Sequence, residues 1–279
     1  MDQMNHAGGF FEMWNPILLL LLIVIGYVYW NLVGPEQRIF KDAEPVERNK
    51  KLLFYTGLSL FYIAQGSIVN YIGHHYLFSV HMLQQTILYL MVPILIWRGL
   101  PAWLLRPFLY KGFFGKIFTF LTRPLIAIFT FNMVFSIYHM PFIMNGLMQN
   151  EWLLFGYHLI LQITAFTMWF PIFCPLPEKD KLSDMQKIGY IFANGVLLTP
   201  ACALIIFAKT LLYDMYSYSN VPFAHLPALD DQQLGGVIMK IIQEIVYGAV
   251  LAHIFFRWYR RERQDDKDDY PQGYEPQQG

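Results

Sequence analysis

Three histidines in this chain stand where an imidazole could hold a metal ion. His81 is followed by Met82, His139 by Met140, and His158 lies in a long apolar run. Thioethers select Cu(I), whereas imidazole suits copper, zinc and iron, so paired His and Met point to copper ahead of zinc. Gln85 and Gln162 follow His81 and His158 at a spacing of four, which on a helix sets each pair on one face. Two helices then each present a His above a Gln, and an amide in that position can orient a ligating imidazole. The stretch YHMPFIMNGLMQN, residues 138–150, adds Met144 and Met148 at the same spacing after Met140. Such a thioether stripe is equally the adaptable packing that Met provides.

The elements that carry these residues are membrane spans. The chain is 56% hydrophobic and 14% charged, against about 25% charged for a soluble domain. A bilayer core takes about 20 apolar residues per helix. Seven such runs are present, near 16–33, 52–71, 78–97, 121–138, 152–173, 188–209 and 234–258. The expected fold is an all-α seven-helix transmembrane bundle over 16–261. An outward segment at 1–15 precedes it, and a charged, Gln- and Pro-rich tail at 262–279 is expected to be disordered.

Charge placement sets the expected direction. Every Lys and Arg except Lys209 and Lys240 falls after the first, third, fifth or seventh run, which puts the N-terminus outside and the C-terminus in the cytoplasm of a bacterial cell membrane. The formal net charge of zero argues against a nucleic-acid partner. The two cysteines, Cys174 and Cys202, form no CxxC motif and read as packing residues.

With this topology, seven of the eight His, among them His6, His74, His75 and His225, lie on the outer side or in the outer part of a span. His81 and His158 fall roughly 5–10 Å below the outer boundary at about 1.5 Å per residue. Polar groups at that depth are costly and face the bundle interior. Lys240 reaches a similar depth beside Met239, with Glu244 one turn below, so the expected site is a polar cavity opening outward between the third, fifth and seventh helices. His74 and His75 are equally readable as solvated turn residues, and Lys240 with Glu244 as a structural ion pair.

The segments HMLQQ at 81–85, YH at 138–139, YHLIL at 157–161 and DDQQLGGVIM at 230–239 together resemble the CtaG family of Firmicutes-type caa3 cytochrome c oxidase assembly factors. That resemblance runs over nearly the whole bundle. It implies a seven-helix membrane protein, not an enzyme, that is needed to form the oxidase. Its partners would be oxidase subunits, and copper would be a transient cargo. His81, His139 and His158 would be ligands with Met82 and Met140 as soft partners, and Gln85 and Gln162 orienters. Asp230 and Asp231 would attract the cation. The family pattern has a second His where this chain has Gln85, and a Trp where it has Lys240, so the ligand set would be completed from His139 or His158.

Two other readings use the same residues: a copper permease, and a haem protein with two axial His from different helices. The first is disfavoured because Cys174, Cys202 and His253 are the only comparable ligands in the inner half. Hydrolytic chemistry is not expected, since the chain has neither a Gly-x-Ser-x-Gly turn nor a His-Glu-x-x-His helix. A homo-oligomer is left open.

Overall fold

In the computed structural model, residues 9–34, 43–110, 112–218 and 226–269 are described. The expectations for His6 and His225, and for the tail beyond 269, lie outside them. Among the described residues the chain is helical, without strands.

The helices are α1 (Pro16–Leu32), α2 (Arg48–Gly66), α3 (Ile68–His75), α4 (Phe78–Thr86), α5 (Val92–Gly99), α6 (Ala102–Tyr110), α7 (Gly112–Leu121), α8 (Pro124–Tyr138), α9 (Pro141–Met148), α10 (Glu151–Trp169), α11 (Asp184–Ile206) and α12 (Ala228–Asp269). Their starts follow local chemistry. The side chains of Asn15, Ser67 and Asn150 accept from backbone N–H groups of the first turns of α1, α3 and α10. Ser183 and Gln186 form a capping box on α11. Pro16, Pro124 and Pro141 occupy first helical positions, where no N–H is needed.

Among the described residues five helical stretches, Arg48–His75, Phe78–Gly99, Glu151–Trp169, Asp184–Ile206 and Ala228–Gln264, are long and apolar enough to cross a bilayer, and six if the bent pair α7 and α8 is one span. The count expected from hydropathy was seven. The difference lies in two short elements. α1 has 17 residues and α8 has 15, which at about 1.5 Å per residue fall short of a core of about 30 Å. The chain bends by 79° between α7 and α8. The last helix runs to Asp269, past the expected boundary at 261.

The third apolar run is a helix with a fault. Ile87–Met91 is a π-helical segment between α4 and α5, with Val92 N–H bonded to Ile87 O five residues back. Pro93 lies just beyond and has no N–H, so Tyr89 O has no partner four residues on and Leu88 O none five residues on. α10 supplies both partners: Gln162 Nε2 donates to Leu88 O at 3.1 Å and Trp169 Nε1 to Tyr89 O at 2.9 Å. The fault is therefore satisfied by a neighbouring helix, as a backbone in lipid requires.

Two glycines let elements close on α4. A Cβ on Gly73 would lie 2.9 Å from His81 N, and one on Gly235 2.7 Å from the Phe78 ring and 3.0 Å from Met82 Cγ. Any side chain there would push α3 or α12 away from the helix that carries His81. Deeper in the bundle, Asn132, Asn194 and Tyr247 form a buried polar layer: Asn132 Nδ2 donates to Asn194 Oδ1 at 2.6 Å, and Asn194 Nδ2 to Tyr247 Oη at 2.8 Å.

Candidate functional site

His81 on α4 and His158 on α10 come together around a residue that spacing did not single out. The Tyr138 hydroxyl, from the last turn of α8, lies 3.1 Å from His81 Nε2 and 2.9 Å from His158 Nε2. The two imidazole rings sit 6.1 Å apart, inclined by 29°. One hydroxyl has one proton, so Tyr138 donates to one imidazole and accepts from the other. Gln85 completes the group, its amide nitrogen 2.8 Å from His81 Nε2, as the i,i+4 spacing foresaw.

Several polar atoms here are buried without a partner, among them His81 Nδ1, Gln85 Oε1, Tyr89 Oη and His139 Nε2. Turning the Gln85 amide over would let Oε1 accept from a proton on His81 Nε2, leaving His81 Nδ1 as a bare lone pair. His139 is fixed more simply. Its Nδ1–H donates to Phe135 O at 2.8 Å, so its buried Nε2 is the unprotonated nitrogen. Its ring lies 5.1 Å from that of Tyr138.

The near end of the bundle is closed by a loop after α11. Tyr213 Oη donates to His139 O at 2.9 Å and Tyr216 Oη to Gly73 O at 2.7 Å. Phe78 stacks on Tyr213 at 4.7 Å and meets Tyr216 edge to face at 5.4 Å. Burial pushes both hydroxyls above the usual phenol range, so they stay neutral donors. The loop is pinned to α12 by Gln232, which accepts from Leu212 N–H at 2.7 Å, and by Gln233, which donates to Ala208 O at 2.8 Å.

Other expected site residues have different partners. Asp231 is buried, and its carboxylate accepts from Phe78 N–H at 2.8 Å and Ser79 N–H at 3.3 Å, with Ser79 Oγ as a third donor. These bonds cap α4; Asp230 is exposed. Gln162 serves the π segment and does not orient His158. Lys240 is not in the histidine cavity. It pairs with Glu244 at 2.7 Å and donates to Thr199 Oγ1 at 3.1 Å on the partly exposed side of α12.

Met82 is wholly buried, against Phe78 and Gly235. Met140 is 51% exposed and Met144 fully buried, so the stripe does not share one surface. Met239 is buried and lines a void with Gln85, Thr86 and Tyr89. Among the described residues no group of three or more His, Cys, Asp or Glu side chains is arranged to hold a metal ion.

The polar cavity near the histidines lies elsewhere than expected. It has a volume of about 360 Å³ and is lined from α1 to α3, the π segment and α10, with His74, Glu151, His158 and Gln162 in its wall. Helix α12 contributes nothing to that wall. Tyr138 was missed in the sequence because a Tyr in an apolar run reads as packing, and Tyr213 and Tyr216 because they fall in a connection between two runs. The only signal was that Tyr138 abuts His139.

Neither the comparison with curated proteins nor that with solved structures returned a match. The family model for the cytochrome c oxidase caa3 assembly factor, Caa3_CtaG, matches residues 25–261. The quoted segments that surround Tyr138 and cap α4 fall within that span, and the chain belongs to the caa3 cytochrome c oxidase assembly factor family.

Proposed function

We propose that this protein helps form an active caa3-type oxidase by taking up copper on the outer side of a bacterial cell membrane and handing it to the oxidase, as a non-catalytic factor. In this reading α1 is the first of seven spans, the N-terminal segment faces outward and the C-terminus is cytoplasmic. The alternation of basic connections supports that direction.

The observation that carries the copper reading is the convergence of His81 and His158 on the Tyr138 hydroxyl, with no Lys or Arg in the group. The unpartnered ring nitrogens of His81 and His139 belong to the ligand class that copper accepts. Two imidazoles and a phenol oxygen fall short of the four ligands of a permanent structural site. Such a set suits cargo that must leave again. Met82 and Met140 would join it only after a change of position. The haem alternative fits less well, because Tyr138 fills the space between the two imidazoles that a porphyrin would need.

The test is a double substitution, His81→Ala with His158→Ala, in cells that make the oxidase. The expected outcome is normal accumulation of the variant, loss of copper from the purified protein and loss of oxidase activity in membranes. Oxidase activity at the wild-type level with the variant present would remove the ligand assignment.

A further inference from the structure

The cavity of about 360 Å³ beside His158 has two chemistries on its wall. Polar side chains, among them Gln65, Asn70, His74, Glu151 and His158, share the wall with apolar ones, among them Leu18, Leu88, Phe155 and Leu159. Phe155 and Leu159 are 64% and 51% exposed on the outward face of α10, so the mouth of the cavity opens sideways, where a bilayer would lie. The volume is within the range of roughly 300–1,000 Å³ typical of small-molecule sites.

Apart from Glu151, the wall offers amide and imidazole hydrogen bonding. Gln65 and Asn70 use their side-chain oxygens to accept from Gln84 Nε2, at 3.3 and 2.7 Å, which leaves their amide N–H groups for an occupant. Tyr89, 1% exposed, lines the same cavity. No Lys or Arg lines the cavity, while Glu151 does, so a lipid phosphate would meet the wrong charge. A bare acyl chain would leave these donors unpaired, at a cost. The larger groove of about 540 Å³ between α1 and α2 has no such anchor, being lined mostly by Leu, Ile and aromatic side chains.

We propose that this lateral cavity binds the head of a lipid-soluble quinone, whose carbonyl oxygens accept hydrogen bonds from Gln65, Asn70 and the neighbouring imidazoles while its prenyl tail leaves past Phe155 and Leu159 into the bilayer. Only binding is inferred. The inference does not rest on copper, although His158 borders both sites.

The experiment is equilibrium binding of a radiolabelled naphthoquinone with a short prenyl chain to the full-length protein in lipid nanodiscs. One saturable site is expected. Leu159→Trp, which fills the mouth, and Asn70→Leu, which removes a donor, should each weaken it at least about tenfold, or ~1.4 kcal/mol. Both variants should keep their copper content; Leu159→Trp should also keep its thermal midpoint, whereas Asn70→Leu, which removes an acceptor of Gln84 Nε2, should lower it, and if one fails to fold the other decides. No saturable binding, equal displacement by phosphatidylethanolamine, or undiminished binding in the folded variant overturns the proposal. Loss of quinone binding with copper retained separates this site from the histidine site.

Discussion

The Asp231 carboxylate accepts from the Phe78 backbone N–H at 2.8 Å, joining the first turn of α12 to the first turn of α4 across 153 residues. A helix begins with N–H groups that no residue of its own can meet, and a carboxylate there also complements the helix dipole. Asp231→Ala should lower stability by about 2 kcal/mol, the upper range for a lost cap. The check is the thermal midpoint in detergent, and Asp231→Asn should recover part of the loss. A midpoint equal to wild type for Asp231→Ala would show that the cap carries no stability.

Tyr138→Phe removes the hydroxyl shared by His81 and His158 and leaves two buried imidazole nitrogens to find other partners. The expected cost is about 1–3 kcal/mol in stability. On the copper reading proposed above, in which the phenol oxygen lies between the two ligating imidazoles, copper retention should fall by at least about 10-fold. Metal analysis of the purified variant measures this. Unchanged copper content would take Tyr138 out of the site.

Gln162→Leu strands Leu88 O in the π segment, because Pro93 cannot replace the lost donor. Destabilisation of about 1–3 kcal/mol follows, with copper content preserved in protein that folds. Copper loss in folded Gln162→Leu would restore the orienting role foreseen in the sequence.

Cys174 lies outside the spans, after α10, where its thiol donates to Leu176 O at 3.2 Å. Burial pushes its pKa up to about 11. The thiolate is the reactive form, so modification by a maleimide at pH 7–8 should be slow and should rise steeply as pH approaches 11. Rapid labelling at pH 7 would contradict the burial.

His81 and Gln85 were legible in the sequence because helical spacing alone fixes a shared face. The convergence of His81 with His158 was foreseen, but not what joins them. The partner atom belongs to a third helix, and no one-dimensional spacing encodes that. Lys240 was misplaced for a related reason. Its depth followed from the rise per residue, whereas its azimuth depended on how α12 packs, and that turned it toward Thr199. Asp231 and Gln162 looked like site chemistry because they are polar near the site, yet both repair backbone that the fold itself leaves unpaired. The seven apolar runs were read from hydropathy, and the two short ones differ in cause: α8 is cut off from the start of its run by the sharp bend before Pro124, whereas α1 covers its run but for one residue and is simply short.

The extra residue held in Ile87–Met91 acts as an angular offset between the two ends of one helix. Each residue turns a helix by about 100°, so the same residues wound there as a plain α-helix would swing His81 and Gln85 through about that angle. The lower end cannot follow, because Trp97 clamps it to Phe166 O at 2.8 Å. The imidazole would then leave Tyr138 with every side chain of the site still present. Phase along this one helix, and not the identity of any donor, is what makes the two histidines neighbours.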